Sequence, residues 1–201
     1  MRRNIFLALI VILIISPIRF TFAAAENNEL KTCAQFFSPF NEPNRARYQT
    51  IINRCISKYS DYRSSTIKGH KHAGIDLRGK FSESVYPIGY GEVYDILYSF
   101  PNLAIVIYHP LPNHSYIYSI YTHVVDIQVK IGAWIDQNTV IARLFDAEEK
   151  RKAEFQTNHL HLEIRKSMED NGRASYASMT MADLNRFCTD PREFLKKNLK
   201  N

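Results

Sequence analysis

The chain reads as a mainly β protein, built on an antiparallel sheet and flanked by helices near its N- and C-terminal ends. Three observations predict this. His159-Leu-His161-Leu-Glu163-Ile alternates polar and apolar residues with period two, the signature of a strand with unlike faces. Residues 103–108 and 116–121 are β-branched and aromatic runs around His109-Pro-Leu-Pro-Asn-His114, the composition of a hairpin. Helical signals are confined to the flanks. Tyr48, Ile51, Ile52, Cys55, Ile56 and Tyr59 form one stripe within 44–59, and Asp190-Pro191-Arg-Glu193 has the composition of a capped helix start.

The elements follow in order. Residues 1–25 read as a secretory signal: Arg2 and Arg3, an apolar run over 5–18 broken only by Ser16 and Pro17, then Ala23-Ala24-Ala25 for cleavage. The run falls short of the ~20 residues that span a bilayer. The mature protein is therefore expected in the periplasm or outside the cell, with membrane contact only through the signal before cleavage. Residues 26–65 form an N-terminal segment: a Pro-containing lead-in, then the helix at 44–59. This segment either packs on the fold or covers its groove. Residues 66–166 carry the strands. Gly89 and Gly91 suit a turn or bulge within 85–97. His123 ends the second hairpin run. Residues 129–144 give one or two strands with a turn at 136–138, and 146–157 form a charged connection, helix or loop. Residues 167–201 are a tail, polar and irregular to 181 and ending in the short helix, with Asp190 as cap and Glu193 completing a capping box.

A chain of 201 residues suits one domain. Its formal charge is +6; Arg2, Arg3 and Arg19 lie in the signal, leaving 6 − 3 = +3. This mild basic balance is compatible with an anionic polymer. Without an arginine-rich stretch or a helix-turn-helix pattern, it argues against nucleic acid. Cys33, Cys55 and Cys188 would enter an oxidising compartment, where two are expected to pair. Cys33 with Cys55 is nearest in sequence and Cys188 is the other candidate partner. No CxxC spacing makes them zinc ligands.

The chemistry lies in three short segments: His72-Ala-Gly74-Ile-Asp76, Tyr121-Thr-His123 and His159-Leu-His161. They offer four histidines and a carboxylate. Zinc takes imidazole nitrogen and carboxylate oxygen, and a catalytic site uses three protein ligands plus an open position. Same-face residues two apart on a strand lie about 6.6 Å apart, close enough for two imidazoles to converge on one site. Each segment alone has a plainer reading, as a solvated strand face or a structural His–Asp pair. Their joint presence favours a metal. No HExxH helix is present to supply a glutamate base. Glu163 continues the His159/His161 face and is placed as a partner orienting an imidazole. His70 is read as a surface neighbour, and His109 and His114 as solvated residues beside the hairpin loop.

These three segments, in this order, resemble the motifs of the lysostaphin-type, LytM-like zinc endopeptidases that cut peptidoglycan peptides, over roughly residues 66–166. The resemblance implies an antiparallel fold of the duplicated-hybrid-motif kind with a groove over one sheet. It implies that His72, Asp76 and His161 bind Zn2+ and that His123 and His159 are the catalytic histidines. The expected substrate is a peptidoglycan peptide, cut at cross-links or bridges by a zinc-activated water, and the expected state is a monomer. Within 136–158 the sequence departs from the family, with Asp136-Gln-Asn138 and a charged run in place of a glycine-rich approach. The alternatives are a non-catalytic regulator of another wall hydrolase and a zinc peptidase acting on secreted proteins.

Overall fold

The computed structural model describes residues 31–62, 70–168 and 180–200. The signal expected at 1–25 and most of the irregular stretch at 167–181 lie outside them. The central element is strand β10 (His159–Arg165), the alternating segment of the sequence. On one side it pairs with β2 (Ile75–Arg78), on the other with β6 (Tyr116–Thr122), both antiparallel. The sheet continues outward through β1 (Cys55–Ser57) beyond β2. Beyond β6 lie β5 (Ala104–Pro110), β4 (Gly91–Leu97) and β8 (Trp134–Ile135), while β11 (Cys188–Thr189) pairs with the far end of β10. A small second sheet orders β3 (Ser84–Val85), β9 (Ala142–Leu144) and β7 (Val124–Val125). The architecture is mainly β and antiparallel, as the alternation and the hairpin composition predict.

Register decides which side chains share a face. His161 lies opposite Asp76 on β2 and Thr122 on β6; Leu162 lies opposite Ile75 and Tyr121. Leu160, Leu162 and Ile164 therefore join Ile75, Leu77, Ile105, Ile107 and Tyr121 in the main core, all fully buried, together with Val85, Val124 and Leu144 from the small sheet. Each such aliphatic side chain contributes roughly 1.5–3 kcal/mol of transfer free energy. The polar face of β10 is buried too. A smaller cluster of Ala73, Leu184, Phe187 and Cys188, with Tyr59 against it, packs near Glu163 and Arg165.

Four sequence expectations are corrected. The helix expected over 44–59 is α1, Tyr48–Arg54, only; Cys55 turns extended and pairs with Leu77, so the edge of the sheet captures the rest of the stripe and leaves Ile56 exposed. Ile51, Ile52 and Ile56 are β-branched and resist that capture weakly. Cys33, Cys55 and Cys188 are all free thiols. Cys33 is tied through its N–H to Pro110 on β5, whereas Cys55 lies on β1, with three strands between them in the sheet. His109 is fully buried and His70 is 8% exposed, so neither is a solvated neighbour. His114 alone of these is exposed.

The flanks are integral to the unit that runs from Lys31 to Asn201. Phe36, Phe40 and Ile51 enter the main core. Arg54 bonds Glu83 and Glu42, fastening α1 to the loop before β3. The charged connection forms α2 (Ala147–Lys152), closed by a reciprocal Asp146/Glu149 capping box. A helix that the sequence reading missed, α3 (Met181–Phe187), has the same device at Thr180 and Asp183. The C-terminal helix α4 (Pro191–Asn198) starts on Asp190, whose side chain accepts from the Arg192 N–H. Among the described residues its cap has no return bond from Glu193. No helix among the described residues is long and apolar enough to cross a membrane.

Candidate metal centre and active site

Asp76 and His161 face each other across the β2–β10 ladder, and His72 precedes β2 by one turn of extended chain. One ligand atom from each of His72, Asp76 and His161 lies within 4.8 Å of the others, all three residues being buried. Gly74 makes this approach possible. A Cβ there would stand 2.3 Å from the Leu162 carbonyl oxygen, so only glycine lets the 72–76 segment lie against β10.

The hydrogen bonds on the outer side of each imidazole select the inner nitrogen. The Lys58 carbonyl can only accept, so His72 donates to it from Nδ1 (2.7 Å) and turns Nε2 toward Asp76 Oδ1 (3.1 Å) and His161 Nδ1 (2.9 Å). An ionised Glu163 likewise only accepts. His161 donates to it from Nε2 (3.0 Å), which leaves His161 Nδ1 beside Asp76 Oδ1 (3.0 Å). Glu163 is held in turn by Arg165 Nε at 2.7 Å, both side chains being fully buried. The donor set is thus two imidazole nitrogens, each oriented by an outer partner, and one carboxylate oxygen. This fits a borderline divalent cation.

Charges follow the same geometry. Burial works to raise the Asp76 pKa, but the bonds to His161 and His72 outweigh it and hold the carboxyl well below the usual carboxylate range. Burial would lower His161, yet its bonds to Asp76 and Glu163 lift it to about 9. Burial would raise Glu163, and Arg165 and His161 bring it down to about 2.

His123 and His159 stand beside this cluster. Their ring centroids are 4.9 Å apart, and His159 Nε2 is 3.9 Å from Asp76 Oδ1. His159 donates from Nδ1 to the Thr157 carbonyl (2.8 Å) and His123 from Nδ1 to the Pro101 carbonyl (3.0 Å). Both therefore present Nε2 inward. His123 occupies the turn between β6 and β7 at φ 66°, a left-handed backbone rare for a residue with a side chain. That turn lifts the imidazole off the strand and over the site. Burial, then the neighbouring His159 and His161, push its pKa down to about 3, so its Nε2 carries a lone pair at neutral pH. Phe155 packs edge-on to His123 (4.6 Å) and tilted on His159 (5.2 Å), and itself stacks on Phe145 (5.9 Å).

All five site residues named from the sequence are brought together. The Lys58, Pro101 and Thr157 carbonyls and the Phe155 ring were not legible beforehand: a carbonyl acceptor has no side-chain signature, and Phe155 sits in a run that reads as charged surface. Tyr121 of the Tyr-Thr-His segment faces the opposite way. Its hydroxyl takes the Ile88 N–H and shares a hydrogen bond with Ser119, whose hydroxyl meets His109 Nε2 at 2.7 Å. This buried Ser–His contact belongs to the core and does not reach the metal cluster.

The sequence profile of peptidase family M23 matches residues 70–175, just over half of the chain, and spans all five residues. The chain belongs to peptidase family M23. The family is one of peptidases, hydrolases of peptide bonds. The fold agrees with solved M23 structures. The catalytic domain of lysostaphin, an antimicrobial peptidase from Staphylococcus simulans, superposes with TM-score 0.51 at 18% identity, covering 74% of this chain and 97% of that one. The NMR structure of lysostaphin gives 0.53 at 18%, covering 76% and 54%, so this M23 chain spans about half the length of that protein. LytU gives 0.50 at 21%, covering 72% and 85%. Among curated proteins no sequence matches.

Proposed function

We propose that this M23 peptidase is an exported zinc metalloendopeptidase that hydrolyses peptide bonds of bacterial peptidoglycan, at cross-links or bridges. The observation that carries the reading is the convergence of three ligand atoms, 2.9–3.1 Å apart, with two further histidines presenting Nε2 to the same point. Tetrahedral zinc with bonds of about 2.1 Å would set its ligand atoms about 3.4 Å apart, a few tenths of an ångström wider than here. The ion supplies Lewis acidity: it lowers the pKa of a water and polarises the scissile carbonyl.

The chain's own residues do the rest. His123, neutral and half-buried, accepts the proton of the attacking water at Nε2. His159, with Nε2 3.9 Å from Asp76 Oδ1, hydrogen-bonds the oxygen on which charge develops, and His123 passes the proton it took to the leaving amine. Glu163 and the Lys58 carbonyl keep the ligand imidazoles in register through these steps. Export rests on the signal-like first 25 residues, and a +3 balance thereafter suits an anionic wall.

A regulator without activity would have no use for five filled positions with set tautomers. The test is mass spectrometry of fragments released from purified peptidoglycan by the zinc-loaded protein, beside His161→Ala and a chelated control. New peptide ends made only by the unmutated, loaded protein support the reading. Zinc bound tightly with no release from several wall types refutes it in favour of a protein substrate.

A further inference from the structure

Beside His159 lies a cavity of about 500 Å³ whose wall carries three cations and no acid: Arg78, Lys80 and Lys150, with Phe81, Thr157 and Asn158 among the other lining residues. Register makes it part of the active face. Arg78 is the ladder partner of His159, as Asp76 is of His161, so Arg78 follows Asp76 on the same side of β2. The frame is rigid. Asn158, buried between the elements, donates to the Lys80 and Phe145 carbonyls and accepts the Gly79 N–H through its own carbonyl. The neighbouring acids are engaged elsewhere: Glu83 with Arg54, Glu149 with Arg143 and Glu148 with Lys152. Among the described residues, Arg78, Lys80 and Lys150 form no ion pair.

We propose that this pocket is a substrate subsite for a free carboxylate one or two residues from the scissile bond. It makes the enzyme select acid-bearing stem peptides over uncharged bridges of small residues. Three cations lining one pocket with no acid among its lining residues, next to the proposed catalytic His159, create a local positive field that a carboxylate relieves. Arg78 supplies the fork that can grip it bidentately, while Lys80 and Lys150 act as point charges. The inference rests on the peptidoglycan reading for its choice of substrate, though the pocket's charge does not depend on it.

The test uses the full zinc-loaded protein and two cross-linked stem-peptide dimers, one with free carboxylates and one with the same groups as carboxamides. The unmutated protein should cleave the acid form with kcat/KM at least about tenfold above the amide, the scale of a charge-assisted bond. Arg78→Gln should collapse that ratio toward one, and Arg78→Glu should invert it; raising salt should shrink it. An acid-to-amide ratio near one in the unmutated protein, or one that survives both variants, overturns the proposal. If neither dimer is cut, the peptidoglycan reading fails. The subsite is then decided by NMR titration of the same two dimers into the unmutated and Arg78→Gln proteins. Acid-selective binding lost in the variant upholds it, and equal binding of both dimers overturns it.

Discussion

The Lys58 carbonyl oxygen stands 2.7 Å from Nδ1 of His72, so a residue of the N-terminal segment turns Nε2 of His72 toward Asp76 and His161. The same turn donates the Ser60 N–H to the His72 carbonyl and accepts the His72 N–H at Asp61. The segment thus packs on the fold and completes the ligand shell. Because the contact is made by backbone, Lys58→Ala should leave zinc affinity within about threefold. One glycine inserted after Lys58 should weaken it by about 10–100-fold, the usual effect of losing an outer-shell partner. Competition with a chromophoric chelator reads both; equal affinities in the two variants would refute the role.

The ligands and the catalytic histidines should separate cleanly on mutation. His161→Ala should lose the metal and all activity. His123→Ala should keep one zinc per chain and lose about 10²–10⁴-fold in kcat, the span of general acid–base catalysis. Metal content by elemental analysis beside peptide hydrolysis distinguishes them. Full activity in either variant would remove that residue from the mechanism.

Glu163 and Arg165 form a fully buried ion pair behind His161, and two guanidinium nitrogens of Arg165 have no hydrogen-bond partner among the described residues. Glu163→Ala leaves that cation uncompensated and should cost about 3–5 kcal/mol of stability. Glu163→Gln keeps an acceptor for His161 Nε2 and should cost less. The double change Glu163→Leu with Arg165→Leu should be milder than Glu163→Ala. Urea unfolding of the four proteins measures the order, and a double variant less stable than Glu163→Ala would contradict it.

His109 predicts a pH dependence away from the active site. Its Nδ1–H donates to the Tyr90 carbonyl, its Nε2 meets the Ser119 hydroxyl, and the ring is fully buried, which favours the neutral imidazole. Burial lowers its pKa from 6.5 to about 4. The unfolded chain takes up a proton near 6.5 while the folded chain resists until about 4. Stability is therefore full above 6.5 and falls as pH drops from 6.5 to 4. The interval, 6.5 − 4, corresponds to about 3 kcal/mol. His109→Gln should lose this component, so its unfolding free energy should change less between pH 7 and 5 than the unmutated protein's. Parallel pH profiles would refute it.

Alternation around His159–Ile164 and the β-rich runs at 103–108 and 116–121 were legible because a strand's period is local. Spacing within His72–Asp76 and His159–His161, with a histidine following the second hairpin run, singled out four histidines and a carboxylate as a candidate site, and the resemblance to the lysostaphin-type endopeptidases divided them into ligands and catalytic residues. Other features depend on contacts between distant segments. Cys55 is strand rather than helix because β2 offers it an unpaired edge, and that ladder outweighs a seven-residue helix's marginal propensity. Cys33 and Cys55 stay apart because the sheet order puts β2, β10 and β6 between Cys55 and Cys33's anchor on β5. Arg78 gains its place beside His159 only from the β2–β10 register, which no spacing within either segment reveals. Residue types and their local periods thus marked out the candidate site, whereas tertiary structure alone decided which imidazole nitrogens face Asp76 and which charges flank them, because hydrogen-bond acceptors and sheet register are supplied by chain far away in sequence.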